Sequence, residues 1–276
     1  MEVVRTAAFA DGQKGGNPAG VVICDELPST DAMQAIAAEV GYSETAFAAP
    51  FGPGWRVRYF APQVEVDFCG HATIALGATL ADQRGNGVFE LQLNHANITV
   101  EGRHNGSAML AALQSPPTHS RPAPAQLVVD ALALFSLGTS ELDQRIPPAI
   151  AHAGADHLVL APDTRARLAA MRYDLEAGRT LALGYGIGTF ILVHAEGPQL
   201  FHARNPFLIG GVYEDPATGA AAAALAGYLR DLGWPHEGSI DIVQGEDMGM
   251  RSLLYAAIPP AHGASIRVSG QTRPIW

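Results

Sequence analysis

Two short stretches restrict what this chain can fold into more than any other feature. GHATIALGATL, starting at Gly70, and GAAAAALAGYL, starting at Gly219, agree at five of eleven positions without a gap. Each follows a segment that carries arginine, an aromatic residue and proline: RYFAP before the first and FHARNP before the second. Both read as helices opening after glycine. A helix so rich in Ala and Gly leaves little room around itself, so it belongs inside a tightly wrapped sheet and not on a solvated face. Although alanine-rich helices match partly by composition, helix type, preceding loop and position in each half agree together, and the reading is a duplication.

The length agrees with two halves. At 276 residues the chain exceeds one ordinary core and fits two domains of roughly 100–150 residues. The expected fold class is α/β (α+β), with two pseudo-symmetric lobes, each a curved, mostly antiparallel sheet or barrel around a central helix. The central helices are expected at about 70–82 and 218–232. The first lobe is expected over 1–118 plus about 263–276, the second over about 119–262. Helix N-termini present unpaired N–H groups and partial positive charge, each worth about 0.3–1 kcal/mol toward an anion when exposed. Two of them at the boundary between the halves suit a small carboxylate in a cleft.

Local patterns fill in the rest. VVRTAAF and GNPAGVVIC read as strands, and STDAMQAIAAEVG as a helix capped by Ser29 or Thr30 and stopped at Gly41. SETAFAAP, WRVRYFAP, VFELQLNHANITVEG and RHNGSAMLAALQ have strand character. SPPTHSRPAPA, from Ser115 to Ala125, is the best linker candidate, since proline continues neither a central strand nor a helix interior. Beyond it, AQLVVDALALFSLG and TRARLAAMRYDLEAG read as helices. DHLVLAP, TLALGYG, TFILVHAEG, IDIVQGE, SLLYAAI and SIRVSG read as strands. Gly184, Gly186 and Gly188 of GYGIG lack a dinucleotide fingerprint and are assigned to close strand packing.

Charge and cysteine usage exclude several function classes. The net charge is −10 with only 17 Lys and Arg, scattered singly, so nucleic acid is not an expected partner. MEVVRTAAFADGQ lacks a basic-then-apolar leader, and no apolar run approaches about 18 residues. The expectation is a soluble cytoplasmic protein without a membrane partner. The two cysteines, Cys24 and Cys69, are not expected to pair. No two histidines stand at H-x-H or H-x₃-H spacing, so no metal site is expected; no cofactor is expected either.

GNPAGVV, SETAF, RYFAPQVEVDFCGHAT, EDPATGAA and QGEDMG occur in the order and approximate spacing of the PhzF-like (phenazine-biosynthesis-type) isomerase family, which the chain resembles. That family is structurally related to diaminopimelate epimerase. The resemblance implies two pseudo-symmetric lobes with the site between them, a final strand returning to the first lobe, and a homodimer. It implies an isomerase that moves a proton within a small carboxylate-bearing substrate; phenazine-pathway members convert an enol-bearing dihydro-hydroxyanthranilate ring to a ketone. By motif, Glu44 is the acid/base, and His71 and Asp215 line the site. Gly70, Gly219 and Ala220 would offer backbone N–H groups to the substrate carboxylate, with glycine permitting close approach. Epimerase relatives use two facing thiols; here Cys69 stands near one position, and EDPATG occupies the other without a cysteine.

Each residue also has a plainer reading. Glu44 lies in an otherwise small or apolar segment, either as an edge-strand carboxylate facing water or as an acid/base group, a role typically worth about 10²–10⁴-fold. His71 opens a helix, either as a packed interface residue or as a hydrogen-bond donor to a substrate oxygen. Asp215 before Pro216 reads as a turn or capping aspartate or as a ligand for a substrate amine or hydroxyl. Cys69 reads as a small buried residue ahead of a reactive thiolate. Two departures from the family mark an altered pocket: Ala220 replaces the usual serine, and QGEDMGMRS displaces an arginine to Arg251, which receives no role. The alternatives to a glutamate-dependent isomerase are a non-catalytic small-molecule-binding member of the same fold and a cysteine-dependent enzyme.

Overall fold

The computed structural model describes residues 1–106 and 108–276. The chain divides into two compact units, Met1–Gln114 with Ser269–Trp276, and Ser115–Val268.

In the first unit, β1 (Val4–Ala10), β2 (Asn17–Ile23), α1 (Thr30–Val40), β3 (Thr45–Phe51), β4 (Gly54–Phe60) and β5 (Glu65–Val66) lead into α2 (Gly70–Arg84). Then come β6 (Gly87–Gln92), β7 (Asn97–Asn105) and β8 (Ala108–Gln114). Strand β1 pairs antiparallel with β2, β2 parallel with β3, β3 antiparallel with β4, β4 parallel with β6, and β6, β7 and β8 antiparallel in turn. The end of the last strand of the chain returns here: Thr6 lies opposite Pro274 and Ala7 opposite Arg273. The Thr272 hydroxyl reaches the Met109 carbonyl of β8, so the sheet closes around α2.

That closure explains the composition of α2. Every residue from His71 to Ala81 is buried. A Cβ on Gly77 would stand 2.4 Å from a Val100 methyl, and one on Gly102 of β7 would stand 2.1 Å from the Gly77 carbonyl oxygen. Helix and strand therefore meet backbone to backbone. Gly77 costs the helix about 0.8–1 kcal/mol in propensity, whereas fully burying Ile74, Leu76 and Leu80 returns about 1.5–3 kcal/mol each. Packing decides the outcome.

The second unit runs β9 (His119–Pro122), α3 (Ala125–Leu134), β10 (Ala149–His152), β11 (Asp156–Leu160), α4 (Arg165–Ala169), α5 (Leu175–Tyr185), β12 (Thr189–Ala195), β13 (Leu200–Phe207), β14 (Val212–Asp215) and α6 (Gly219–Leu232). It ends in β15 (Ser239–Gln244), β16 (Ser252–Ala257) and the start of β17 (Arg267–Pro274). Strand β10 pairs antiparallel with β11, β11 parallel with β12, β12 antiparallel with β13, β13 parallel with β15, and β15 antiparallel with β16. The alternation of β1, β2, β3, β4, β6 and β7 is thereby repeated, with α6 at the place of α2. Ala221 to Arg230 are all buried, and a Cβ on Gly227 would stand 2.6 Å from the Thr118 hydroxyl.

The RYFAP and FHARNP echo also has a physical counterpart. Ahead of α2, Arg58 of β4 makes two hydrogen bonds to Glu65 of β5, at 2.7 and 2.5 Å. Ahead of α6, Arg204 of β13 pairs with Glu214 of β14 in the same two-pronged way. In each unit the pair fastens the hairpin that delivers the chain to the buried helix. It is partly buried in the first unit and almost wholly buried in the second.

Four local expectations are corrected. The proline-rich stretch contains a strand: β9 pairs with β10, Pro122 opposite Ala149 at its end, where a missing N–H is tolerated. TLALGYG is not a strand. The helix expected over 164–178 breaks after Ala169, and a second begins at Leu175, where the Asp174 side chain accepts from the Ala177 N–H at 2.8 Å, and runs through Tyr185. Propensity for β structure in Leu181–Tyr185 yields to this cap and to packing of Ala182 into the core. Consequently only the last glycine of GYGIG serves close strand packing: Gly186 is the left-handed C-cap of α5, with φ 67°, a Cβ on Gly184 would meet nothing within 4 Å, and one on Gly188 would stand 3.3 Å from the Asp156 carbonyl oxygen of β11. Among the described residues, no helix is long and apolar enough to cross a membrane.

Candidate active site

Glu44 is set by the end of α1. Gly41, in the left-handed conformation at φ 71°, ends the helix by donating its N–H to the Ala37 carbonyl, and four residues later, at Thr45, the chain enters β3. Glu44 thus lies at the joint ahead of the strand, not within it as the pattern suggested. Its carbonyl accepts from the Gly20 N–H at 3.2 Å. A Cβ on Gly20 would stand 2.7 Å from the Thr45 hydroxyl and 3.1 Å from Val40, so the glycine of GNPAG is what lets β2 approach the joint. The Glu44 side chain retains 12% of its exposure, enough to meet a ligand while most of the carboxylate is shielded.

His71 is the second residue of α2 and is buried. Its Nε2 lies 3.4 Å from Glu44 Oε2 and 3.3 Å from the Ser43 hydroxyl, and its Nδ1 lies 3.3 Å from Cys69 Sγ. Two proton arrangements satisfy this ring. With the proton on Nε2 it faces Glu44, and Nδ1 accepts from the Cys69 thiol; with the proton on Nδ1, Nε2 accepts from Ser43. The turn carrying Cys69 is held from below. The Thr73 hydroxyl donates to the Cys69 carbonyl at 2.7 Å and meets the Tyr59 hydroxyl at 2.6 Å. Burial pushes the Tyr59 phenol well above its ordinary range, keeping it a neutral partner. No side chain caps α2, so its first N–H groups, at Gly70 and His71, stay directed to its mouth.

In the second unit, Asp215 closes β14 opposite Asn205. Its carboxylate accepts from the Thr218 hydroxyl, which realises the turn reading and takes that hydroxyl away from capping α6. Gln244 fastens the same turn. Its amide donates to the Asp215 carbonyl at 2.7 Å and to the Thr218 hydroxyl at 3.1 Å, and accepts from the Thr218 N–H at 3.3 Å. Gly245, at φ 73°, lies against Pro216, where a Cβ would stand 2.8 Å from the carbonyl oxygen. The Gln-Gly pair of QGEDMG therefore positions EDPATG. Gly219 and the part-exposed Ala220 open α6 just beyond it. Arg251 lies 3.6 Å from Glu246.

Glu44 and His71 come together in the first unit, and Asp215, Gly219 and Ala220 in the second. Sequence reasoning missed Ser43 and Gln244, although both stand inside quoted motifs, next to Glu44 and Gly245. Cys69 is buried as expected, but it also touches His71. Glu44, Cys69 and His71 offer three potential metal-ligand atoms within 4.8 Å of one another. Histidine spacing could not reveal this group, because its members come from two separate segments.

The chain as a whole is similar to known proteins. The family described as phenazine biosynthesis-like protein matches residues 6–275. An uncharacterized isomerase of Mesorhizobium japonicum is 32% identical, over 95% of this chain and 92% of its own. The trans-2,3-dihydro-3-hydroxyanthranilate isomerase of Pseudomonas chlororaphis is 33% identical, over 90% and 87%. A crystal structure of a Bacillus anthracis phenazine biosynthesis protein of the PhzF family superposes with a TM-score of 0.85 at 19% identity, covering 100% of this chain and 98% of that one. The barrel around a buried helix in each unit is thus the fold of that family. With its sequence matched nearly end to end, the chain belongs to the phenazine biosynthesis-like family and is one of its isomerases.

Proposed function

We propose that the enzyme moves a proton between two positions of a small carboxylate-bearing substrate, cyclic or amino-acid-like, with Glu44 as the acid/base and no cofactor. The observation that carries this reading is a largely shielded carboxylate with the His71 ring 3.4 Å away, at the open end of a buried helix. The Glu44 carboxylate takes a proton from carbon, becoming the neutral acid, while the electron pair moves into the substrate's unsaturated system. It then returns the proton to a different carbon, restoring the carboxylate, so the step balances without an oxidant or reductant. His71 supplies a hydrogen bond to Glu44 or to a substrate oxygen as the electron pair shifts. Uncapped N–H groups at the start of α2 favour the substrate's negative charge.

As part of the same proposal, Asp215 binds a substrate amine or hydroxyl, and Gly219 and Ala220 give N–H groups to its carboxylate. The Pseudomonas chlororaphis relative is named for isomerising trans-2,3-dihydro-3-hydroxyanthranilate, which makes that compound the first substrate to try. The methyl of Ala220, where the family pattern has serine, favours an altered substrate. A cytoplasmic homodimer completes the proposal on the strength of the family resemblance; sedimentation at single-chain mass would refute the dimer.

The test compares Glu44→Gln with Cys69→Ser in turnover assays on that compound and a panel of small cyclic and amino-acid carboxylates. Glu44→Gln should lose turnover with its fold and ligand affinity intact, and the loss should exceed that of Cys69→Ser. A larger loss in the thiol variant would transfer the chemistry to Cys69. Tight binding of a carboxylate without any turnover would identify a binding protein.

A further inference from the structure

We infer that Asn205 is a positioning residue for Asp215: its amide is a second station for the carboxylate, which turns from the Thr218 hydroxyl to the Asn205 N–H group when it takes hold of a ligand. Asn205 keeps 1% of its exposure, and among the described residues neither its amide nitrogen nor its amide oxygen has a hydrogen-bond partner. A buried amide left unpaired has given up its bonds to water for nothing in return, and such a group calls for a state of the molecule that uses it.

The internal repeat shows which partner is meant. RYFAP and FHARNP align Arg58 with Arg204 and so Tyr59 with Asn205, and the two buried helices align Thr73 with Ala222. In the first unit Tyr59 lies opposite Val66 of β5, an apolar neighbour, and its hydroxyl turns instead to the Thr73 hydroxyl of α2 at 2.6 Å. In the second unit α6 offers only the methyl of buried Ala222 at that place, whereas β14 puts Asp215 directly opposite Asn205. Opposed residues of an antiparallel pair share a face, with Cβ atoms about 4.5–5.5 Å apart, a separation that aspartate and asparagine bridge with one N–H···O bond. Rotation about the Cα–Cβ bond of Asp215 is the movement required. It leaves no hydroxyl stranded, because Gln244 already donates to the Thr218 oxygen at 3.1 Å. A substrate amine or hydroxyl competes with the Thr218 hydroxyl for the carboxylate, and the Asn205 N–H group supplies the bond given up. The consequence for substrate binding rests on the Asp215 reading above; the second station itself does not.

Thr218→Val keeps the shape of the turn residue and removes its hydroxyl. In this variant, without ligand, the side-chain NH₂ signals of Asn205 should shift downfield in nitrogen–proton correlation spectra as the carboxylate moves over; their loss in Asn205→Leu identifies them. The shift should be absent when Asp215→Ala is added. No shift in the folded Thr218→Val protein, or the same shift in the double variant, would overturn the second station, and these spectra decide it even where nothing is turned over. In assays on trans-2,3-dihydro-3-hydroxyanthranilate, Asn205→Leu should raise KM by about 3–10-fold, the worth of one hydrogen bond, with kcat within about twofold. Its urea midpoint should rise at the same time, because the unpaired amide is gone. Asn205→Asp, which sets a like charge opposite Asp215, should raise KM further. A raised midpoint with KM unchanged would overturn the positioning role. Asp215→Asn separates the two readings: KM raised there but unchanged in Asn205→Leu refutes Asn205 alone, and KM unchanged in both removes Asp215 from binding as well.

Discussion

Gly77→Ala sets two effects of opposite sign against each other inside α2. Alanine improves helix propensity by about 0.8–1 kcal/mol, and at an exposed position it would stabilise. Here the new methyl would lie 2.4, 3.1 and 3.3 Å from the three side-chain carbons of Val100. Val100 is fully buried in the core of the first unit, and a β-branched side chain has little rotamer freedom with which to yield. Overpacking of this kind typically costs about 1–3 kcal/mol, and a contact of 2.4 Å belongs in the upper half of that range, so the variant should be destabilised by about 1–2 kcal/mol net. Val100→Ala creates the missing space: alone it should cost about 2 kcal/mol, but combined with Gly77→Ala the total should fall short of the sum by at least about 0.5 kcal/mol. Gly102→Ala should be worse than Gly77→Ala and should gain nothing from Val100→Ala, because its methyl would meet the Gly77 carbonyl oxygen at 2.1 Å and the Ala81 methyl at 2.7 Å, and not Val100. Urea denaturation read by hydrogen exchange in α2 peptides isolates this unit from the other. A Gly77→Ala protein at least as stable as the wild type, or strictly additive costs in the double variant, would refute the backbone-contact account.

Two further predictions use groups outside the site. His157 is fully buried, and desolvation, assisted by the neighbouring charge of His152, pushes its imidazole down to about 4. Because the unfolded chain binds this proton first, stability should be complete above about pH 6.5 and fall as pH drops toward 4, by on the order of 3 kcal/mol in total. His157→Asn, which can keep the hydrogen bond to Thr189, should flatten urea midpoints across that window, and an unchanged slope would refute the assignment. Arg204→Met should cost about 3–5 kcal/mol by stranding Glu214 in the core, whereas Arg58→Met at the more exposed equivalent should cost about 1 kcal/mol or less through its ion pair; equal losses in thermal scans would contradict the difference in burial.

The paired helices were legible because Ala and Gly admit only close neighbours, and the Gly77–Gly102 contact is the physical form of that signal. The arginines of RYFAP and FHARNP were visible, but their partners were not, since Glu65 and Glu214 stand 7 and 10 positions away on return strands. Leu181–Tyr185 misled because a distant aspartate cap and burial of Ala182 outweighed local strand propensity. At the candidate site, the SETAF and CGHAT motifs singled out Glu44 and His71. Their 3.4 Å approach depended on Gly20 admitting β2, a tertiary contact with no local sequence mark. Cys69 looked like core because it is buried; its contact with His71 follows from the bend at the α2 mouth.

The central claim, that Glu44 carries the proton, is most directly tested by incubating substrate with wild-type enzyme and with Glu44→Gln in deuterated water and following the reacting carbons by NMR. The account predicts deuterium in the substrate and product pools of the wild type and none above background with the folded variant. Incorporation by Glu44→Gln at the wild-type rate would contradict it.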